Sequence, residues 1–152
     1  MIVIDVLKQK YIDELCKIES ASFSNAWTKE NFAGELNNPT SVFFVALNGG
    51  EVAGCVAMNN ALGEGFISKL MVSEKNRRQG IGRLLLEKLC EYAEQNRMFA
   101  LTLEVRESNT PAISLYEKAG FKNLGKRKNF YRNPKEDAVI MTKEFKYDYI
   151  SD

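Results

Sequence analysis

A chain of 152 residues has the length of one ordinary domain, with enough volume for a hydrophobic core. Its 45% hydrophobic and 27% charged residues form a soluble globular profile, and a net charge of +1 exerts no general pull toward nucleic acid or membrane. It has no histidine, which excludes Ser-His-Asp and Cys-His catalysis and most catalytic zinc sites, so proton transfer falls to Asp, Glu, Tyr, Lys, Cys or water.

Ile2-Val3-Ile4 with Val6 reads as a first strand. Ile12, Leu15, Cys16 and Glu19 follow helical spacing and predict a helix over 10–20. Thr28 is the expected cap of a second short helix with Phe32, Ala33 and Leu36 inward, closed by Asn37-Asn38-Pro39. Val42 to Leu47, the turn Asn48-Gly49-Gly50 and Val52 to Met58 predict a hairpin, extended into a meander by Phe66 to Val72.

The strongest helical pattern runs from Ile81 to Asn96, with Ile81, Leu84, Leu85, Leu89, Tyr92 and Ala93 on one face. Phe99 to Val105 returns to strand character. Thr110 is the expected cap of the next helix, with Pro111 at its first position and Gly120 just past its end. Phe121 to Leu124 and Asp137 to Phe145 are the expected closing strands, and the basic residues Lys126, Arg127, Lys128, Arg132 and Lys135 between them read as a solvated loop face able to steer an acidic partner. The order β-α-α-β-β-β-α-β-α-β-β, with no repeat or linker, predicts one mixed α/β (α+β) domain over 1–152.

No apolar run approaches the roughly 20 residues that span a bilayer. The first residues, Met1 to Asp5, lack the basic region and cleavage site of a secretory signal, and Cys16, Cys55 and Cys90 are widely spaced with no CxxC. A cytoplasmic setting without membrane is therefore expected. Cys55 and Cys90 sit in apolar patterns and read as core residues.

The chemistry concentrates in Arg77-Arg78-Gln79-Gly80-Ile81-Gly82-Arg83, between a strand and the best helix. Glycines at 80 and 82 permit close backbone approach to a ligand, and a helix N-terminus with flanking arginines favours phosphate. A P-loop needs GxxxxGK[ST], which is absent. A dinucleotide loop needs a third glycine where Leu85 stands, early in a βαβ unit. Neither spacing fits.

The pattern Arg77-x-x-Gly80-x-Gly82 resembles the acetyl-CoA signature of the GNAT N-acetyltransferases. Lys69-Leu70-Met71-Val72 before it, the long helix after it, and Asn109 to Phe121, which is similar to that family's N-x-x-A-x-x-L-Y-x-x-x-G-F segment, extend the resemblance over nearly the whole chain. Leu103-Glu104-Val105-Arg106, Arg127-x-x-x-Tyr131, Glu136 to Met141 and Phe23 to Thr28 further resemble the RimI-type branch, which acetylates the N-terminal alanine of a small-subunit ribosomal protein; Ala26 stands where that branch often has proline.

The resemblance implies a mixed, mostly antiparallel sheet flanked by helices, with acetyl-CoA as cosubstrate, no metal and no direct nucleic-acid contact. It implies Glu104 as general base, through water, and Tyr116 as acid toward the CoA thiolate. A phenol of pKa about 10 can protonate a thiolate whose thiol lies near about 8.5, and an α-amine near about 8 deprotonates more readily than lysine near about 10.4. Leu70, Met71 and Val72 are expected along the pantetheine arm, the amides of Arg78 to Arg83 on the pyrophosphate beside Arg77, and Asn109 either at the cofactor or at a helix start. Trp27 and Tyr131 are candidates to flank the acceptor groove, with core packing at least as strong a reading for Trp27. A small amine or lysine side chain as acceptor, and a CoA-binding adaptor without turnover, are the alternatives.

Overall fold

The computed structural model describes residues 1–22 and 26–148, so the Phe23-Ser24-Asn25 part of the groove segment lies outside the described residues. In chain order the elements are β1 (Ile2–Val6), α1 (Ile12–Ser22), α2 (Lys29–Leu36), β2 (Ser41–Asn48), β3 (Glu51–Ala61), β4 (Glu64–Val72), α3 (Ile81–Gln95), β5 (Ala100–Arg106), α4 (Thr110–Lys118), β6 (Lys122–Tyr131) and β7 (Glu136–Glu144). The strands form one sheet in the order β1-β2-β3-β4-β5-β7-β6. Every neighbouring pair is antiparallel except β4 and β5. This is the element order and mixed sheet expected from the sequence.

Alternation along the strands builds a core on each face of the sheet. Phe44, Ala46, Val56 and Met58 join Leu85, Leu86 and Leu89 of α3 and Tyr116 of α4 on one side. Phe43, Val45, Cys55 and Ala57 join Ile12 and Leu15 of α1 and Phe32 of α2 on the other. α2 starts in a reciprocal cap, in which Asn31 N–H donates to Thr28 Oγ1 and Thr28 N–H donates to Asn31 Oδ1.

Four local expectations are corrected. Leu84 is only half-buried, while Leu86 and Cys90 are buried, because the inward stripe of α3 centres on Ile81, Leu85, Leu89 and Ala93 and takes its flank from positions 82, 86 and 90. Leu36, in the last turn of α2, is exposed. The cap of α4 is Asn109 rather than Thr110, its side chain accepting from Ala112 N–H at 3.2 Å, with Pro111 one position further in. The basic run is strand through Tyr131 rather than loop: β6 is the sheet's outer edge, where exposed lysines also discourage pairing with another chain.

The stripe is testable. Leu86→Ala should destabilise the protein by about 2–5 kcal/mol, as cavity-forming core truncations do, and Leu84→Ala by about 1 kcal/mol or less. Urea unfolding of the two variants checks the ranking.

Candidate active site

β4 and β5 touch only at their beginnings. Their parallel register runs Glu64–Ala100, Gly65–Leu101 and Phe66–Thr102, and stops there. Just beyond, β4 carries an extra residue against β3: Ala57 pairs with Lys69 and Met58 with Ile67, leaving Ser68 unpaired in the ladder. From there β4 follows β3 while β5 follows β7, and the two strands part. A cleft of about 560 Å³ fills the split. Every second residue of β4 along it turns N–H and C=O toward a missing neighbour strand, so the edge can pair with an extended amide-bearing ligand.

The cleft brings together Leu70, Met71, Val72, Gly82, Glu104, Asn109 and Tyr116 from the sequence-predicted set, and also Trp27 and Tyr131. It does not enclose Arg77, Arg78, Gln79 or Gly80, which form an exposed loop leading to Gly82 at the start of α3. Ile81 gives its side chain to the core, so only its backbone is available to a ligand. Gly80 caps α3 at φ 78, a left-handed conformation that suits glycine. At Gly82 a Cβ would meet Leu115 Cδ2 at 3.6 Å and Val72 Cγ2 at 3.8 Å, ordinary contacts, so the protein's own packing does not demand glycine; its absent side chain leaves room in the cleft instead. Arg77 Nε donates to Val72 O at 3.3 Å, which fixes the loop against the end of β4. Asn109 meets both expectations, lining the cleft while its oxygen caps α4.

The two titratable groups approach from opposite faces of the sheet. Leu103 and Val105 point into the core under α3, so Glu104 between them points to the face carrying α1 and α2. One Glu104 oxygen lies 3.3 Å from Arg127 Nη1, and the other, Oε2, is buried with no hydrogen-bond partner among the described residues. An unsatisfied carboxylate oxygen in a cleft is positioned for a water or an amine. Tyr116 rises from α4 on the other face, buried edge-on against Phe121 at 5.7 Å. Burial, with a smaller contribution from Tyr131, pushes its phenol up to about 12. Burial likewise raises the Tyr131 phenol, reinforced by Glu104, while Arg106 lies over the Tyr131 ring at 4.4 Å. Cys55 is completely buried, and burial holds its thiol protonated well above the ordinary range, so it supplies no thiolate.

The cleft also takes in Glu19 and Lys69, neither of them among the expected site residues. Glu19, 1% exposed, accepts from Lys69 Nζ on both carboxylate oxygens, at 2.6 and 2.8 Å, and the lysine side chain is 7% exposed. Their signals are legible afterwards: Glu19 shares the inward spacing of Ile12 and Leu15, and Lys69 interrupts an apolar strand.

The acetyltransferase (GNAT) family profile matches residues 12–121. The chain belongs to that family. A Bacillus subtilis relative is 36% identical over 131 residues, covering 86% of this chain and 87% of its own length. The Escherichia coli [ribosomal protein bS18]-alanine N-acetyltransferase is 35% identical over 126 residues, covering 82% of this chain and 84% of its own. The crystal structure of the ribosomal-protein-S18-alanine N-acetyltransferase from Escherichia coli superposes with a TM-score of 0.90 at 30% identity, covering 98% of this chain and 97% of that one. The chain is thus a GNAT acetyltransferase by family, and acetyl-CoA is the donor that family uses. No described helix is long and apolar enough to cross a membrane.

The start of α3 gives a paired expectation. Gly80→Ala should cost about 1–2 kcal/mol through its left-handed backbone. Gly82→Val should change stability by about 1 kcal/mol or less, yet weaken CoA binding at least about tenfold by filling the cleft. Denaturation together with CoA titration separates the two effects; full CoA affinity in Gly82→Val would remove the helix start from the donor site.

Proposed function

We infer that the chain transfers the acetyl group of acetyl-CoA to the α-amine of a protein N-terminus whose first residue is alanine, the acceptor being ribosomal protein bS18 and the setting the cytoplasm. The observation that carries the reading is the split sheet with Glu104 opening on one face and Tyr116 on the other. An extended thioester can lie along β4, its carbonyl reached from the α1/α2 side by an amine and its sulfur from the α4 side by the phenol. The likeness to alanine N-acetyltransferases over more than four-fifths of the chain supports the acceptor.

In the reaction, Glu104 takes a proton from the incoming ammonium through a water bound at Oε2. The neutral amine attacks the thioester carbonyl, whose developing negative charge is met by a backbone N–H of the Met71–Val72 edge. The C–S bond breaks as the amide forms: Tyr116 donates its proton to the departing sulfur, the second proton leaving the amine nitrogen returns through water to the Tyr116 phenolate, and Glu104 releases the first to solvent. Arg78 to Arg83 hold the pyrophosphate through amides at the helix start, with Arg77 adding charge. Arg127 holds one Glu104 oxygen and leaves the other for the reaction.

The phenol's raised pKa fixes a sign. The neutral form is the competent acid, so Tyr116 keeps its proton below about 12. The rate therefore rises with pH as the acceptor amine deprotonates, near about 8, with no alkaline loss from Tyr116 until far above that range. Glu104→Gln should lower turnover by about 10²–10⁴-fold, most severely at low pH where the amine is protonated. Tyr116→Phe should lower turnover by a similar factor across the profile while CoA affinity changes little. Thiol release measured over a pH series reads both variants; unchanged rates in both would contradict the assignments. The acceptor is tested with alanine-initiated peptides beside spermidine and free lysine. Peptides used no better than those amines would overturn the N-terminal reading, and tight CoA binding without transfer to any acceptor would favour an adaptor.

A further inference from the structure

The Glu19–Lys69 pair is buried more deeply than a surface ion pair and lies in the cleft rather than in a core. Its surroundings are built. Trp27 N–H donates to Glu19 Oε1 at 3.0 Å, and the Lys69 ammonium sits 4.4 Å from the centre of the Trp27 ring. Glu19 comes from α1, Lys69 from β4 and Trp27 from the residues before α2, so three separate elements meet on one carboxylate.

The side of the sheet decides what this cluster faces. Met71 packs into the core under α1 and α2, and Lys69, two residues away on the same strand, projects to the same side. That is the side on which Glu104 opens, whereas Leu70, Val72 and Tyr116 belong to the opposite side with α3 and α4. The cluster therefore borders the space through which an acceptor reaches Glu104, away from the donor's path.

We propose that Glu19, Lys69 and Trp27 form the wall of the acceptor pocket and make it selective for a first residue with a small, uncharged side chain. This rests on the N-terminal acceptor reading above. A buried carboxylate and ammonium in mutual contact present almost no net charge, and the indole beside them adds a bulky apolar surface to the cleft lining. An acidic first residue meets a carboxylate already held by Lys69, and a basic one meets an ammonium already held by Glu19; either must enter a poorly hydrated cleft without a partner. Glu19 and Lys69 are specificity-determining residues in this account and take no part in proton transfer.

The test uses peptides identical except for alanine, aspartate or lysine at the first position. Lys69→Met frees the Glu19 carboxylate and should raise kcat/KM for the lysine-initiated peptide relative to alanine by roughly tenfold, the scale of one newly formed charge contact. Glu19→Gln removes the carboxylate that neutralises Lys69 and should raise the aspartate-to-alanine ratio by a similar factor. The double variant Glu19→Gln/Lys69→Met, which carries neither charge, should favour neither peptide, and it remains informative if a single unpaired charge impairs folding. A purely structural pair would lower all peptides in parallel. Parallel losses, or ratios that do not move in opposite directions, overturn the proposal. Peptide affinity for the CoA-loaded protein, measured by calorimetry, gives the same ratios without turnover. Absence of transfer to the alanine peptide then counts against the acceptor reading, and unshifted affinity ratios count against the wall.

Discussion

The short parallel contact between β4 and β5 is the constraint on which the rest of the structure depends. It lasts from Glu64 to Phe66, and at its centre a Cβ on Gly65 would lie 2.6 Å from both Leu101 Cδ2 and Met58 Sδ, so glycine lets the strands close there. Beyond that point each strand is committed elsewhere, β4 to β3 and β5 to β7, by ladders that run to the strand ends. Closing the split would break one ladder to make another. Beneath it, Leu70, Val72, Leu103, Val105 and Tyr116 pack into the same core as α3, which holds the parted strands apart. A gap in a sheet is ordinarily a loss of backbone hydrogen bonds; here it opens a cleft lined by Glu104 and Tyr116.

Charge is distributed along this gap in a way that the overall +1 conceals. The loop before α3 carries Arg77 and Arg78, exposed and close to a helix N-terminus, a setting for phosphate. Within the cleft the carboxylates are partnered: Glu19 by Lys69, and one oxygen of Glu104 by Arg127. Among the described residues, Oε2 of Glu104 then faces the cleft beside two neutral phenols, Tyr116 and Tyr131. An amine entering the cleft finds a single anionic atom rather than a general negative field, which suits removal of one proton more than retention of a cation.

Much of this was legible in the sequence. Element order followed from hydrophobic period and from turn residues at Asn48-Gly49-Gly50, and the Gly80/Gly82 loop stood out because two glycines precede a strongly amphipathic helix. The Leu84 face was misjudged because a periodic pattern permits rotations of one position, and only packing under the sheet selects Leu86 and Cys90. The extent of β6 was hidden because an outer-edge strand, largely exposed, shows no apolar alternation. Asn109 and Thr110 both have capping side chains, and backbone geometry alone chose between them. Glu19 and Lys69 lie 50 positions apart, so their pairing depends on topology that no local pattern encodes.

The central claim is that the split sheet delivers an acetyl group to one protein α-amine, and mass spectrometry of ribosomal proteins incubated with the protein and acetyl-CoA tests it most directly. The account predicts a single acetyl group on the N-terminal alanine of one small-subunit protein, with lysine side chains unmodified. Acetylation spread over lysines, with that N-terminus left free, would contradict it.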